Sequence, residues 1–185
     1  MINWTRIAEA IEFYKQHGFE YIEVPWTVQP STAMITLDDP DYLDLITSNN
    51  ECLVGSAEQG FLQLAREDRL PHVNYVACTP CFRVRDAQKN TPRTHQPYFM
   101  KVELFSRCDN EHQALLASKE ILNRAWKFME RKPESIETDD GFDLVLNGVE
   151  VGSYGFKQYP GIGYWAYGTG LAEPRYSYVK GTQTC

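Results

Sequence analysis

Apolar residues recur at three- and four-residue steps through Trp4, Ile7, Ala8, Ile11 and Tyr14. That spacing predicts an amphipathic helix over 4–17, stopped by Gly18. The run from Phe19 to Pro25 alternates apolar with acidic positions and predicts a short strand closed by proline. Residues 26–51 are polar, carry prolines and several aspartates, and predict irregular connection. A second helix is expected from Ser56 to Leu70, ended by Pro71. His72–Arg85 and Tyr98–Arg107 are alternating, β-rich runs, which predicts a long antiparallel hairpin with Asp86–Pro97 as its loop. From Asn110 to about Arg131 the stripe Leu115, Ile121, Leu122, Ala125, Phe128 and Met129 predicts a third long helix. Phe142–Val151 reads as one strand bent at Asn147-Gly148. The glycine- and aromatic-rich stretch 152–170 then leads to Arg175 and a short tail. With no repeat, no low-complexity stretch and no linker, residues 1–185 are expected to form a single domain.

Composition narrows the class. Eighteen Lys+Arg against 25 Asp+Glu leave a formal charge of −7, so the chain has no bulk attraction for a polyanion. Binding nucleic acid would need a local basic patch. With 43% apolar and 23% charged residues, disorder and collagen-like structure are excluded. No run approaches the ~18 apolar residues of a membrane span, and the first ten residues lack the order of a secretion signal. The five cysteines (52, 78, 81, 108 and 185) are odd in number and irregular in spacing, unlike a disulfide framework. A reduced, soluble, cytoplasmic protein is expected. Cys78 and Cys81 form a CxxC, but there is no second pair, and strand residues three apart face opposite sides. Small packing residues are therefore a better account of them than zinc ligands.

Strand parity sorts the hairpin chemically. Phe82 and Val84 share one face of the first strand, and Cys81, Arg83 and Arg85 the other. On the second strand Met100, Val102 and Leu104 oppose Phe99, Lys101, Glu103 and Phe105. One face is thus a core surface. The other is either a solvated, salt-bridged exterior or a platform for a flat heterocycle bearing phosphates, with rings for stacking and guanidinium forks for phosphate oxygens.

Tyr75-Val-Ala-Cys-Thr-Pro-Cys-Phe-Arg83, followed by His95-Gln-Pro-Tyr-Phe-Met-Lys-Val-Glu-Leu-Phe105, resembles motif 2 of the class II aminoacyl-tRNA synthetases, nearest to the seryl branch. Gly168-Thr-Gly-Leu-Ala-Glu-Pro-Arg175 resembles motif 3, and His17-Gly-Phe-Glu-Tyr-Ile-Glu-Val-Pro25 resembles motif 1. The three stand in family order from residue 17 to 175. The resemblance implies an α+β fold with an antiparallel sheet flanked by helices. It also implies a bent ATP, an aminoacyl-adenylate product and a homodimer built on motif 1. Arg83 would hold the α-phosphate and act catalytically with Arg175. The adenine would lie between Phe99 and Arg175, and Arg83, Arg85, His95, Phe99 and Arg175 make up the nucleotide-binding set. Glu103 and Glu150 would carry Mg²⁺. Ser56 and Glu58 would meet the amino group of the substrate, although the same pair also reads as a helix cap. Ser153 completes the substrate set.

Two departures qualify what the resemblance implies. The family places a glutamate two residues after the motif 2 arginine, where this chain has Arg85. That reversal implies either an unusual substrate with an extra carboxylate or phosphate, or a paralogue that binds nucleotide and serves as a regulatory or interaction protein. The second departure is size. The chain shows no tRNA-binding arm and no anticodon domain, and the ten residues after Arg175 are too few for the usual motif 3 helix. The motif 2 loop offers only Lys89, Arg93 and His95 toward a tRNA. The expected acceptor is then a small molecule, a carrier protein, or a tRNA held weakly or with another protein's help.

Overall fold

Side chains that cap their own helices set several of the boundaries. In the computed structural model, which describes residues 1–37, 49–71, 74–89, 94–129, 133–139 and 141–181, Asn3 Oδ1 accepts from the Arg6 amide at 3.0 Å and opens α1 (Trp4–Gln16). Asn110 Oδ1 accepts from the Gln113 amide at 3.0 Å and opens α5 (Glu111–Phe128). Ser56 caps α3 (Ala57–Arg66) through the Glu58 amide. Such caps satisfy amides that the first turn leaves without partners.

Seven strands make one sheet in the order β1 (Glu20–Tyr21), β4 (Asn74–Phe82), β5 (Tyr98–Cys108), β9 (Gly163–Glu173), β8 (Val149–Tyr159), β7 (Gly141–Leu146) and β6 (Glu134–Thr138). Only the β1–β4 pairing is parallel. A small antiparallel pair, β2 (Thr27–Val28) with β3 (Cys52–Leu53), and the short helix α2 (Pro30–Ala33) lie within the stretch expected to be irregular. The remainder of that stretch, 38–48, falls outside the described residues, as does 90–93 of the hairpin loop. No helix among the described residues is long and apolar enough to cross a membrane.

The sheet carries a core on each face. Val76, Val102, Leu104, Ala166 and Leu171 pack under Ile7, Ala10 and Tyr14 of α1 and Ile121, Leu122 and Ala125 of α5. On the opposite face Phe61, Leu62 and Ala65 of α3 cover Tyr75, Ala77, Phe105 and Trp165, and the Phe61 and Phe105 rings stack at 4.8 Å. The parity expected for β5 is therefore realised. A bulge between Val102 and Glu103 leaves Gly170 without a partner on β5, and its carbonyl accepts from the Tyr14 hydroxyl at 2.9 Å.

Several expected boundaries move. The first hairpin strand ends at Phe82, and Val84–Lys89 form a short helix, α4, so Arg85 does not share a strand face with Arg83. The Arg85 side chain lies outside the described residues. The bend at Asn147-Gly148 is a true reversal: φ is 54° and 75° there, the two positive values a type I′ hairpin turn requires, and it splits the expected strand into β7 and β8. The glycine- and aromatic-rich stretch, to which the sequence assigned no element, lies in the β8–β9 hairpin. Edge strand β6 was not anticipated. A seven-residue helix, α6 (Arg175–Gly181), forms where none was expected. Cys78 packs against the α1-side core, while Cys81 Sγ lies 3.7 Å from Thr79 Oγ1, and burial pushes the two thiols up to about 12 and about 11.

Candidate functional site

On the α3 side of the sheet, where that helix leaves β5, β8 and β9 uncovered, a cavity of about 630 Å³ opens. One of its buried acids is Glu58, only 5% exposed, whose Oε1 accepts from the Trp165 indole N–H at 2.8 Å. Burial drives the Glu58 carboxyl upward from its usual value, Lys157 draws it down, and Glu103 raises it again. A carboxylate held this way is well prepared to receive a ligand cation, which would replace the lost hydration.

Glu103, fully buried on β5, is held on every side. Lys101 Nζ donates to Oε1 at 2.8 Å, and the Ser56 hydroxyl (2.5 Å) and Glu58 amide (3.3 Å) both donate to Oε2. The Ser56 hydroxyl is thereby engaged both as helix cap and as a tie between α3 and β5.

Two arginines of the cavity wall are braced by backbone carbonyls. Arg83 donates from Nε to the Gly55 carbonyl at 2.9 Å, which fixes the direction of its guanidinium fork. That guanidinium lies over the Phe99 ring at 5.6 Å, and Phe99 itself is not part of the cavity wall. Arg175, at the start of α6, donates from Nε to the Thr94 carbonyl at 2.9 Å. Its Nη1 lies 3.3 Å from the Glu150 carbonyl and 3.6 Å from Glu150 Oε1. His95 Nδ1 sits 2.9 Å from Thr94 Oγ1, so one residue links His95 to Arg175. The Ser153 amide donates to Thr169 Oγ1 at 3.3 Å.

The structure brings Ser56, Glu58, Arg83, His95, Glu103, Glu150, Ser153 and Arg175 to one cavity wall and leaves Phe99 behind Arg83. Sequence reasoning missed Asp143 and Lys157, which also line the cavity. Asp143 pairs across the β7–β8 ladder with Ser153, and burial and the neighbouring Glu150 push its carboxyl up. Strand parity would have pointed to it had β7 and β8 been recognised as separate strands.

Among the described residues no group of three or more His, Cys, Asp or Glu is arranged to hold a metal ion. Magnesium generally uses one or two carboxylates and completes its shell with phosphates and water. Glu103 is less available for that role, because the Lys101 ammonium already neutralises it and both its oxygens accept from protein donors. The Asp143–Glu150 pair fits it better: two carboxylates on adjacent strands whose mutual repulsion a metal cation would relieve.

Neither a protein-family model nor a curated protein sequence matches this chain. The architecture nevertheless has clear structural counterparts, and its fold is that of the class II aminoacyl-tRNA synthetase catalytic domain. The pyrrolysyl-tRNA synthetase of Desulfitobacterium hafniense superposes with a TM-score of 0.74 at 15% identity, over 96% of this chain and 68% of that one. The seryl-tRNA synthetase of Pyrococcus horikoshii, solved with ATP, gives 0.73 at 21% identity over 94% and 48%. The cytoplasmic serine-tRNA ligase of Naegleria fowleri, solved with AMP, gives 0.71 at 16% over 94% and 46%. This chain therefore spans about half the length of the seryl enzymes.

Proposed function

We propose that the protein activates an amino acid, or a related carboxylate bearing an amino group, as its adenylate. The observation that carries this reading is one cavity whose wall holds both a buried, indole-bonded carboxylate and two oriented guanidinium groups. Glu58 receives the substrate ammonium. Arg83 directs its fork at the α-phosphate, where charge builds as a substrate carboxylate oxygen attacks phosphorus and the bond to pyrophosphate breaks. Donors fixed before the reaction stabilise that developing charge without reorganising. Arg175, braced by Thr94 and Glu150, lies beside the nucleotide. Asp143 and Glu150 are the residues that would hold Mg²⁺, which when bound supplies neutralising charge for the phosphates.

The reading includes a homodimer, checked by light scattering, and leaves tRNA as a weak or assisted acceptor. The experiment that tests it is ATP–pyrophosphate exchange across a full amino-acid panel. Exchange is expected with one substrate class, and Arg83→Ala should reduce it about 10- to 150-fold. That range corresponds to a charged hydrogen bond of ~1.5–3 kcal/mol. An empty panel with an Arg83→Ala variant indistinguishable in ATP binding would remove the reading. A second reading, a nucleotide-binding paralogue without catalysis, rests on Arg85 standing where the motif 2 pattern has a glutamate. ATP binding without exchange, restored by Arg85→Glu, would select it.

A further inference from the structure

The cations of the cavity are not equally matched. Lys101 is paired with Glu103 at 2.8 Å, and Arg175 lies 3.6 Å from Glu150. Arg83 is assigned above to the α-phosphate. Lys157 remains. Its ammonium makes no ion pair with any described carboxylate and lies 4.9 Å from the Tyr167 ring centroid. An aromatic face holds an ammonium in place but does not cancel its charge.

The position of Lys157 gives that charge a meaning. Glu150 stands near the start of β8 and Lys157 near its end, roughly 20 Å of extended chain apart, so Lys157 lies far from Arg175, which Glu150 holds. Ser153, Gly155 and Lys157 share one face of β8. Gly155 pairs with Gly141 on one side and with Tyr167 on the other. Between Ser153 and Lys157, β8 and β7 therefore contribute no side chain at this level, and the Tyr167 ring borders the gap. The result is a stretch of cavity wall bare of β7 and β8 side chains, running from Ser153 to an ammonium whose nearest answering charge is Glu58 and which has no ion pair among the described residues.

Occupancy of Glu58 sharpens the need. A substrate ammonium at Glu58 puts a second cation in the neighbourhood of Lys157, with Glu58 as the one carboxylate that answers both. An anionic group further along the same substrate restores the balance. A neutral side chain leaves Lys157 uncompensated, and a basic one adds repulsion.

We propose that the Lys157–Tyr167 end of the cavity is a subsite for a side-chain carboxylate, so that the molecule activated is an amino dicarboxylic acid. The proposal rests on the adenylate-forming reading for the word "activated", but not for the subsite. Its test measures the two separately. Calorimetry with the full chain compares aspartate, glutamate and the next longer homologue with asparagine, glutamine and lysine, alongside pyrophosphate exchange with the same compounds. One diacid should bind at least about 10-fold more tightly than its amide, the ratio expected from one desolvated charged hydrogen bond. Lysine should bind most weakly. Lys157→Met should bring acid and amide to equal affinity, Lys157→Arg should keep part of the ratio, and Lys157→Glu should reverse the order in favour of lysine. The acid-to-amide ratio is read within each variant, so a modest loss of stability does not mimic the effect. An amide or a basic amino acid that binds as tightly as the acids overturns the subsite, as does a ratio unchanged in Lys157→Met. A Lys157-dependent preference for the diacid with no exchange upholds the subsite and removes the adenylate reading. Exchange confined to a neutral amino acid does the reverse.

Discussion

Replacing Glu58 by glutamine isolates the cost of keeping a carboxylate inside this cavity. The amide would still offer an oxygen to the Trp165 indole, which now donates to Glu58 Oε1 at 2.8 Å, so packing changes little and the charge alone is removed. Burial raises the folded-state value of Glu58 above its ordinary 4.5. The folded protein then holds a proton that the unfolded chain releases. The associated stability is complete below pH 4.5 and is lost as pH climbs through the folded value. Across that window the wild type should weaken relative to Glu58→Gln by up to about 1.4 kcal/mol per pH unit, then run parallel to it. Asp143 and Glu173 are also raised, but both proteins contain them, so their effect cancels in the difference. Urea melts at intervals from about pH 4.5 to about pH 8 measure this directly. The same variant should bind an amino-acid ligand about 10- to 150-fold more weakly at about pH 8, the value of a charged hydrogen bond of ~1.5–3 kcal/mol. Two stability curves that stay parallel across this whole range would refute the reasoning, because Glu58 would then ionise without penalty.

Asp143→Asn should raise the Mg²⁺ concentration needed for half-maximal exchange and, by removing repulsion at Glu150, slightly increase stability at neutral pH, as thermal melts would record. Wild-type and variant magnesium curves that coincide would exclude Asp143 from metal binding. Gly168→Ala places a methyl group into the Tyr154 ring and against Ile121 Cγ2 and should cost about 1–3 kcal/mol in a urea melt. A loss below about 0.5 kcal/mol would mean that this contact relaxes without cost.

The sequence disclosed those parts of the fold in which one period dominates. On β5, Val102 and Leu104 turn to the α1–α5 core and Glu103 to the cavity, as simple alternation requires. Asn110 announced α5 because its side chain does the capping. The β8–β9 hairpin was illegible for a physical reason: Gly152, Gly168 and Gly170 stand where neighbouring rings already fill the space, and glycine erases an apolar–polar alternation. α4 was hidden because a single turn has no period to detect. In the cavity, Arg83, Glu58 and Arg175 could be named from motif context, but their bracing could not. Thr94 against Arg175, Gly55 against Arg83 and Trp165 against Glu58 join residues 81, 28 and 107 positions apart. Glu103 shows the limit most plainly. It sits at a position that suggests a metal ligand, yet Lys101 and Ser56, brought to it by β5 and α3, occupy both its oxygens.

Tyr154 has a consequence for how this chain can diverge. Its ring occupies the space a Cβ would take at Gly168, and its hydroxyl stands where one would sit at Gly152. The same hydroxyl donates to the Thr169 carbonyl at 2.6 Å, and the Thr169 hydroxyl in turn accepts from the Ser153 amide at the cavity wall. Positions 152, 154 and 168 are therefore expected to change as a set in descendants of this sequence. Enlarging either glycine first requires a smaller residue at 154, and that step strips Thr169 of a buried donor beside the site. The glycines of this hairpin thus act as an inherited record of one tyrosine's shape, and they should covary with it even in relatives that bind different ligands.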